Sequence, residues 1–269
     1  MMFSVAAVLM PCLLLAAGAE IGELQTLLRG ARGVSDADKK TIVDRHNELR
    51  AAVSPKAKDM TKMYWNDAIA AGAQQWVDTC PNGHDTNWDR MKNAGLWISI
   101  GQNWAGGYSD WTAAINGWHS EVSNFELGQG STNGQAVGHY TQVVHNDAIA
   151  VGCAFGDCSG SKIYVCNYAY GQMDYKTPYG DGGSSSCGDC SGKCSNNLCD
   201  CGAKVCQNGG TMKLSDCTCS CKSFFSGDQC ETKDCSQEDP GYCTSSYGES
   251  ACQTYGNVPT DCPHMCGVC

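Results

Sequence analysis

Apolar and aromatic positions recur at helical spacing three times in the first two-thirds of the chain. Ile42, Val43, His46, Leu49 and Val53 fall on one helical face. Trp65, Ile69, Gly72, Trp76 and Val77 make a second, with Asn66 or Asp67 as its capping residue. Trp111, Ala114, Ile115, Trp118, Val122 and Phe125 make a third, with Asp110 as the N-cap. The period then shortens. His139–Val144, Ile149–Phe155 and Ile163–Tyr168 read as strands, the last two joined by the turn-rich Gly156–Lys162. Helices ahead of an antiparallel sheet predict an α+β layered domain over residues 36–180.

Two further zones flank this one. The chain starts with an apolar stretch, Met1–Ala19, that is too short and too early for a spanning helix and ends on small residues. It is expected to be a secretory signal peptide cleaved after Ala19, with residues 20–35 as a short lead. No later stretch is long and apolar enough to span a bilayer. From Asp181 the chain turns to Gly, Ser and Cys and loses apolar periodicity; all seven tryptophans lie before that point. Of the 21 cysteines, loss of Cys12 with the signal leaves an even number, which in a secreted chain means a disulfide framework. The net charge of -10 excludes a basic nucleic-acid-binding surface.

GHYTQVV at Gly138–Val144, followed by VGCAF and YVCNY, resembles the signature motifs of the CAP superfamily of cysteine-rich secretory proteins, venom allergens and pathogenesis-related proteins. DRHNELR and WNDAIAAGAQQWVDTC resemble that family's first two helices, and CPNGHD carries the histidine that follows them. The resemblance spans about residues 38–180 and implies an α-β-α sandwich around a central antiparallel sheet. It also implies a cavity lined by two histidines and two acids. Those positions here are His84, His139, Glu121 and Gln102, so an amide stands where the family carries a carboxylate. Glu121 sits at the edge of an apolar helical face, where an unpaired charge is costly and a partner is needed. Two arrangements satisfy it: Zn²⁺ held by His84, His139 and Glu121 with a position left open, or a hydrogen-bonded His–Glu–His network without metal.

Three departures argue against an enzyme. Asp85 stands where hydrolase proposals for the family place a serine, Gln102 cannot act as a general base, and no other Ser/His/Asp set is marked. His145, in place of the usual tryptophan after TQVV, reads as a surface substitution. Family resemblance favours the bridges Cys80–Cys158 and Cys153–Cys166.

The tail divides by its cysteine spacing. Residues 181–200 resemble the hinge of cysteine-rich secretory proteins, implying Cys187–Cys194 and Cys190–Cys199. Residues 201–231 resemble an EGF-like module, implying Cys201–Cys217, Cys206–Cys219 and Cys221–Cys230. Residues 235–269 resemble a ShK-like (ShKT) domain, implying Cys235–Cys269, Cys243–Cys262 and Cys252–Cys266. The channel-blocking Lys-Tyr pair of that fold is missing from QTYGNVPTD. The expected function is a secreted, non-enzymatic binding protein whose partners are an extracellular protein or a lipid or sterol. Trp97, Trp104, Tyr108 and Trp111 are candidates to line a lipid site. An effector acting on an ion channel or receptor and a metal-dependent hydrolase are the alternatives.

Overall fold

The computed structural model describes residues 33–269; the expected signal and most of the lead lie outside the described residues. Helix α1, Asp36–Ala51, starts where the Ser35 hydroxyl accepts the Asp38 N–H, and buries Ile42, His46, Leu49 and Arg50. Helix α2, Asp67–Val77, is capped by Asn66, whose side-chain oxygen accepts from the Ile69 N–H. Trp65, expected on that helix, lies two residues ahead of it in the short strand β1, Tyr64–Trp65. Helix α4, Trp111–His119, is capped by Asp110 as expected, but it tightens into a 3₁₀ turn over Ser120–Asn124. Glu121 is therefore on that turn and not on the α-helix.

Two elements carried no clear period. Helix α3, Asn87–Ala94, is capped by Thr86 and ends at Gly95, whose φ of 66° places it in the left-handed region that favours glycine. Strand β2 runs Ile100–Gly106, and a minor ladder pairs β3, Phe125–Glu126, with β4, Gly130–Ser131.

The main sheet has the order β1-β5-β6-β2, with β5 spanning Ala150–Cys158 and β6 Ser161–Ala169. It is antiparallel except for β1, which pairs in parallel with β5. The β5–β6 hairpin is tighter than its sequence suggested. Only Ser159 and Gly160 turn the chain, both with positive φ, and Asp157 accepts the Gly160 N–H. Helices α2 and α3 pack on one side of the sheet, and α1 and α4 on the other.

The largest departure is at GHYTQVV. The segment expected to be a strand is a short helix, α5, Gly138–Val143. Its β-branched and aromatic residues favour a strand locally, but tertiary contacts override that preference. At the N-terminus the Glu121 carboxylate accepts the N–H groups of His139 and Tyr140, at 2.8 and 3.1 Å. At the C-terminus the buried Arg50 guanidinium donates to the carbonyls of Val143 and His145, at 3.0 and 2.6 Å. A negative group at one end and a positive group at the other match the helix dipole and satisfy its free backbone groups. Arg50 also donates to Thr61 and to the Asn146 carbonyl.

The tail folds back on this body. Within residues 181–200, Cys199 donates to the Met60 carbonyl and accepts from the Lys62 N–H. Cys201 and Val205 join a core with Ile69, Ala94, Leu96 and Ile149. Trp97 packs on Phe224, Phe225 and Val268, and Trp88 on the cluster around Cys243 and Cys252. The ten disulfides pair Cys80–Cys158, Cys153–Cys166, Cys187–Cys194, Cys190–Cys199, Cys201–Cys217, Cys206–Cys219, Cys221–Cys230, Cys235–Cys269, Cys243–Cys262 and Cys252–Cys266. Each closes within one of the four segments, so only non-covalent contacts and the chain itself join them.

Two outcomes follow. Arg50→Met should lower the stability of the oxidised protein by more than about 3 kcal/mol, because several buried carbonyls lose their donor at once. A denaturation midpoint unchanged by this substitution would remove Arg50 as the anchor of α5. The second concerns pH. His46 is buried, and desolvation lowers its pKa to about 4; its Nδ1 lies 2.8 Å from the Ile42 carbonyl and its Nε2 3.0 Å from the Tyr168 hydroxyl. The unfolded chain takes up this proton near pH 6.5 and the folded chain only near pH 4. Stability should therefore fall as pH drops from about 6.5 to about 4 and level off below. His145, also lowered to about 4 by burial, adds to the same slope. Denaturant titrations of wild type and His46→Gln across this range should show a shallower slope in the variant.

Candidate functional site

Strand β2 is the edge of the sheet beyond β6, and the candidate site straddles it. His84 reaches the edge from the loop between α2 and α3, a loop held where the Trp76 indole N–H donates to the Gly83 carbonyl at 3.0 Å. His139 arrives from the opposite layer at the start of α5. Gly101 leaves room for the Gln142 amide of α5 and for the backbone of Gly171, since a Cβ there would lie 2.0 Å from Gln142 Oε1 and 2.8 Å from the Gly171 Cα. The two imidazole centroids stand 6.5 Å apart across a cleft of about 360 Å³. His84, Gln102, Glu121 and His139 all line it, so the structure brings the four sequence-predicted positions together.

Each imidazole is held at Nδ1. His139 Nδ1 is 2.7 Å from Glu121 Oε1, and Glu121 Oε2 takes the two backbone N–H groups at the start of α5. Burial pushes the Glu121 carboxyl up, but the hydrogen bonds from His139 and Tyr140 outweigh it and hold the group below its ordinary value. Glu121 is thus an ionised acceptor with both oxygens engaged, and the His139 Nδ1 proton is directed to it.

His84 Nδ1 is 2.9 Å from Gln102 Oε1. The Gln102 amide nitrogen donates to Asp85 Oδ1 and to Asn167 Oδ1, both at 2.9 Å. Reversing that amide would aim its oxygen at two acceptors, so these partners set its orientation. The amide oxygen must then receive a proton from His84 Nδ1. Both rings consequently keep Nε2 as the unprotonated nitrogen when neutral, and a lone pair there is what a metal ligand requires.

Asp85 anchors the second chain of bonds. It pairs with Arg90 at 2.7 Å, and Arg90 also donates to the Asp85 and Ile100 carbonyls. Burial raises the Asp85 carboxyl above its ordinary value, with Arg90 and Gln102 offsetting only part of the rise. The sequence marked Asp85 only as a departure from serine. It gave no sign of Arg90, whose five-residue offset is not a helical spacing, or of Asn167, which meets Gln102 through the β2–β6 register. That register was unreadable while β2 itself was unrecognised.

Other expected residues lie elsewhere. Trp97 packs under the tail, Trp104 packs with Trp76 against Ala73 and Val165, and Trp111 stands edge-on to Tyr164. Tyr108 lies against Gly117 on α4. None of the four lines the histidine cleft. His145 is part-buried against the Pro178 carbonyl, so it is neither a free surface residue nor part of the cleft.

The amide at position 102 has a measurable consequence. Gln102→Glu restores the carboxylate of the family pattern but sets it against Asp85, so stability should fall by about 1–3 kcal/mol. Adding Asp85→Asn should recover much of the loss. A double-mutant cycle in denaturant with no coupling between the two positions would show that the amide is not required by Asp85.

Comparison with known proteins agrees with the fold. The model of the cysteine-rich secretory protein family, CAP, matches residues 43–168. Cysteine-rich venom protein Mr30 of Conus marmoreus is 35% identical over 240 residues, covering 86% of this chain and 80% of its own. Cysteine-rich secretory protein 3 of Homo sapiens is 36% identical over 204 residues, covering 72% of this chain and 80% of its own. Among solved structures, NaASP2 with Zn2+ superposes with a TM-score of 0.53 at 25% identity, covering 62% of this chain and 97% of that one. On these matches and on the α-β-α fold around the two-histidine cleft, the chain belongs to the CAP family of cysteine-rich secretory proteins.

Proposed function

We propose that this is a secreted, non-enzymatic binding protein whose cleft takes a divalent metal, Zn²⁺ for preference, through Nε2 of His84 and His139. The observation that carries this reading is the pairing of each Nδ1 with an acceptor, Glu121 for one ring and Gln102 for the other. A centroid separation of 6.5 Å is near the reach of two imidazoles sharing an ion about 2 Å from each nitrogen. Glu121 was expected as a third ligand. With both oxygens engaged it serves better as the partner that orients His139, leaving the remaining metal positions to water or a bound group. A metal there supplies Lewis acidity. The chain's own residues orient the rings and keep Nε2 open, and no tetrad carboxylate remains free to act as a base. The Zn²⁺ in the NaASP2 crystal structure supports the choice of ion.

The disulfide framework and the Conus venom and human secretory relatives support secretion. Among the described residues no helix is long and apolar enough to cross a membrane. The tail, read as hinge, EGF-like module and ShK-like domain, is proposed to bind an extracellular protein, which keeps the channel or receptor effector as a form of the same reading. A lipid or sterol finds better support away from the expected tryptophans, in a second cleft of about 490 Å³ lined in part by Pro55, Val122, Phe125, Leu127 and Tyr140.

Isothermal titration with Zn²⁺ should show one site that is lost in His84→Ala and in His139→Ala and weakens as pH falls, because the imidazoles must be neutral to ligate. Glu121→Gln should weaken it by about 10–100-fold. Retained Zn²⁺ binding in both histidine variants would overturn the site. Purified protein with added Zn²⁺ should show no peptidase or esterase activity above background; activity abolished by both His139→Ala and Glu121→Gln in folded protein would establish the hydrolase instead. A pull-down with the intact chain from the native secretion, with bound metal and lipid assayed, tests the wider binding reading.

A further inference from the structure

Three tyrosines stand out on the last segment of the chain. Tyr242, Tyr247 and Tyr255 are 46%, 37% and 53% exposed. They form a continuous row, with ring centroids 6.3 Å apart from Tyr242 to Tyr247 and 6.1 Å apart from Tyr247 to Tyr255. They are held there by disulfide-stapled helices, Tyr242 on Tyr242–Ser245 and Tyr255 immediately after Ala251–Thr254. Large exposed rings grouped on a rigid support are rare on a surface with no partner, and tyrosine is enriched where proteins meet.

The charge around the row narrows the partner. Residues 235–269 contain no lysine and no arginine, while Glu238, Asp239, Glu249 and Asp261 are acidic. Asp261 is paired with Lys222, and Asp239 accepts the backbone N–H groups of His264 and Met265. Glu249, two residues beyond Tyr247, is exposed and makes no side-chain hydrogen bond or ion pair among the described residues. The faces of aromatic rings attract cations, and an unpaired carboxylate two residues along the chain from Tyr247 adds negative charge to the same segment.

We infer that the Tyr242–Tyr247–Tyr255 row is a docking face for a Lys/Arg-rich segment of an extracellular protein, with basic side chains stacked on the rings and Glu249 as the adjacent counter-charge. This rests on the reading of the tail as a protein-binding region and names its surface and the chemistry of its partner. The charge polarity is opposite to that of a surface that inserts a lysine into its target, because here the chain receives the cation.

The test uses the full disulfide-bonded chain and an immobilised Lys/Arg-rich peptide, with a Glu-rich peptide of equal length as control, in surface plasmon resonance. The native chain should bind the basic peptide and not the acidic one. Tyr247→Ala with Tyr255→Ala should weaken binding by about tenfold at unchanged net charge, whereas Phe at the same positions should keep it within about twofold. Glu249→Gln should weaken it and flatten its salt dependence. Intact bridges by mass and an unchanged near-ultraviolet spectrum would show that the variants fold. Equal binding by the alanine variant overturns the face but leaves the wider reading of the tail standing, since the peptide is then held elsewhere on an acidic chain. Failure of the native chain to bind the basic peptide, or binding of a neutral oligosaccharide in its place, overturns the cationic partner. The wider reading fails separately, if the intact chain captures no extracellular protein in the pull-down.

Discussion

The site depends on one short helix being held at both ends. Six residues, Gly138–Val143, are too few to be stable as a helix alone. Glu121 accepts two N–H groups at one end, and Arg50 donates to the carbonyls of Val143 and His145 at the other. These contacts tie together the 3₁₀ turn after α4, the buried face of α1 and the segment leading into β5. His139 occupies the first turn of that helix, so the residues that satisfy the helix also aim the imidazole. In Glu121 the two tasks fall to one carboxylate, with one oxygen on the backbone and the other on the ring.

Across the cleft the same outcome is reached with different chemistry. His84 is held by an amide whose orientation is dictated by Asp85 and Asn167, and Asp85 is in turn held by Arg90. The cleft therefore keeps two carboxylates, but only Glu121 touches a histidine directly. Replacing the family's carboxylate with Gln102 moves one charge away from the ring and behind an amide. Its position at the edge strand of the sheet gives both helical layers access to the same space, which is why residues as far apart in sequence as His84 and His139 converge there.

The tail adds more than covalent staples. Its modules have too little apolar area for a full core of their own. Cys201, Val205, Phe224, Phe225 and Val268 find apolar partners on the main domain or between modules. Residues 201–269 therefore lie against α3 and the loop after it, while residues 181–200 lie against α1 and the segment that follows it, and the tyrosine row of residues 235–269 is left exposed.

Much of this was determined by local sequence. The apolar faces of α1, α2 and α4 follow from a 3.6-residue period, with a capping residue read at Asn66 or Asp67 for α2 and at Asp110 for α4, and the two strands of the β5–β6 hairpin follow from apolar runs on either side of a turn-rich link. The family resemblance supplied the ten cysteine pairs and the four cleft positions, because motif spacing carries what periodicity does not. Tertiary structure decided the rest. His139–Val144 has strand-forming residues and becomes a helix because charges from distant segments satisfy its ends, information that no window of local sequence contains. Strand β2 was unreadable because Gly101, Gln102 and Asn103 interrupt its alternation for the sake of a close helix and a polar network. The protonated nitrogen on each histidine, and Glu121's role as an orienting acceptor, depend on which oxygen lies within about 3 Å of which ring nitrogen. That distance exists only once the edge strand, the short helix and the loop after α2 have been packed together.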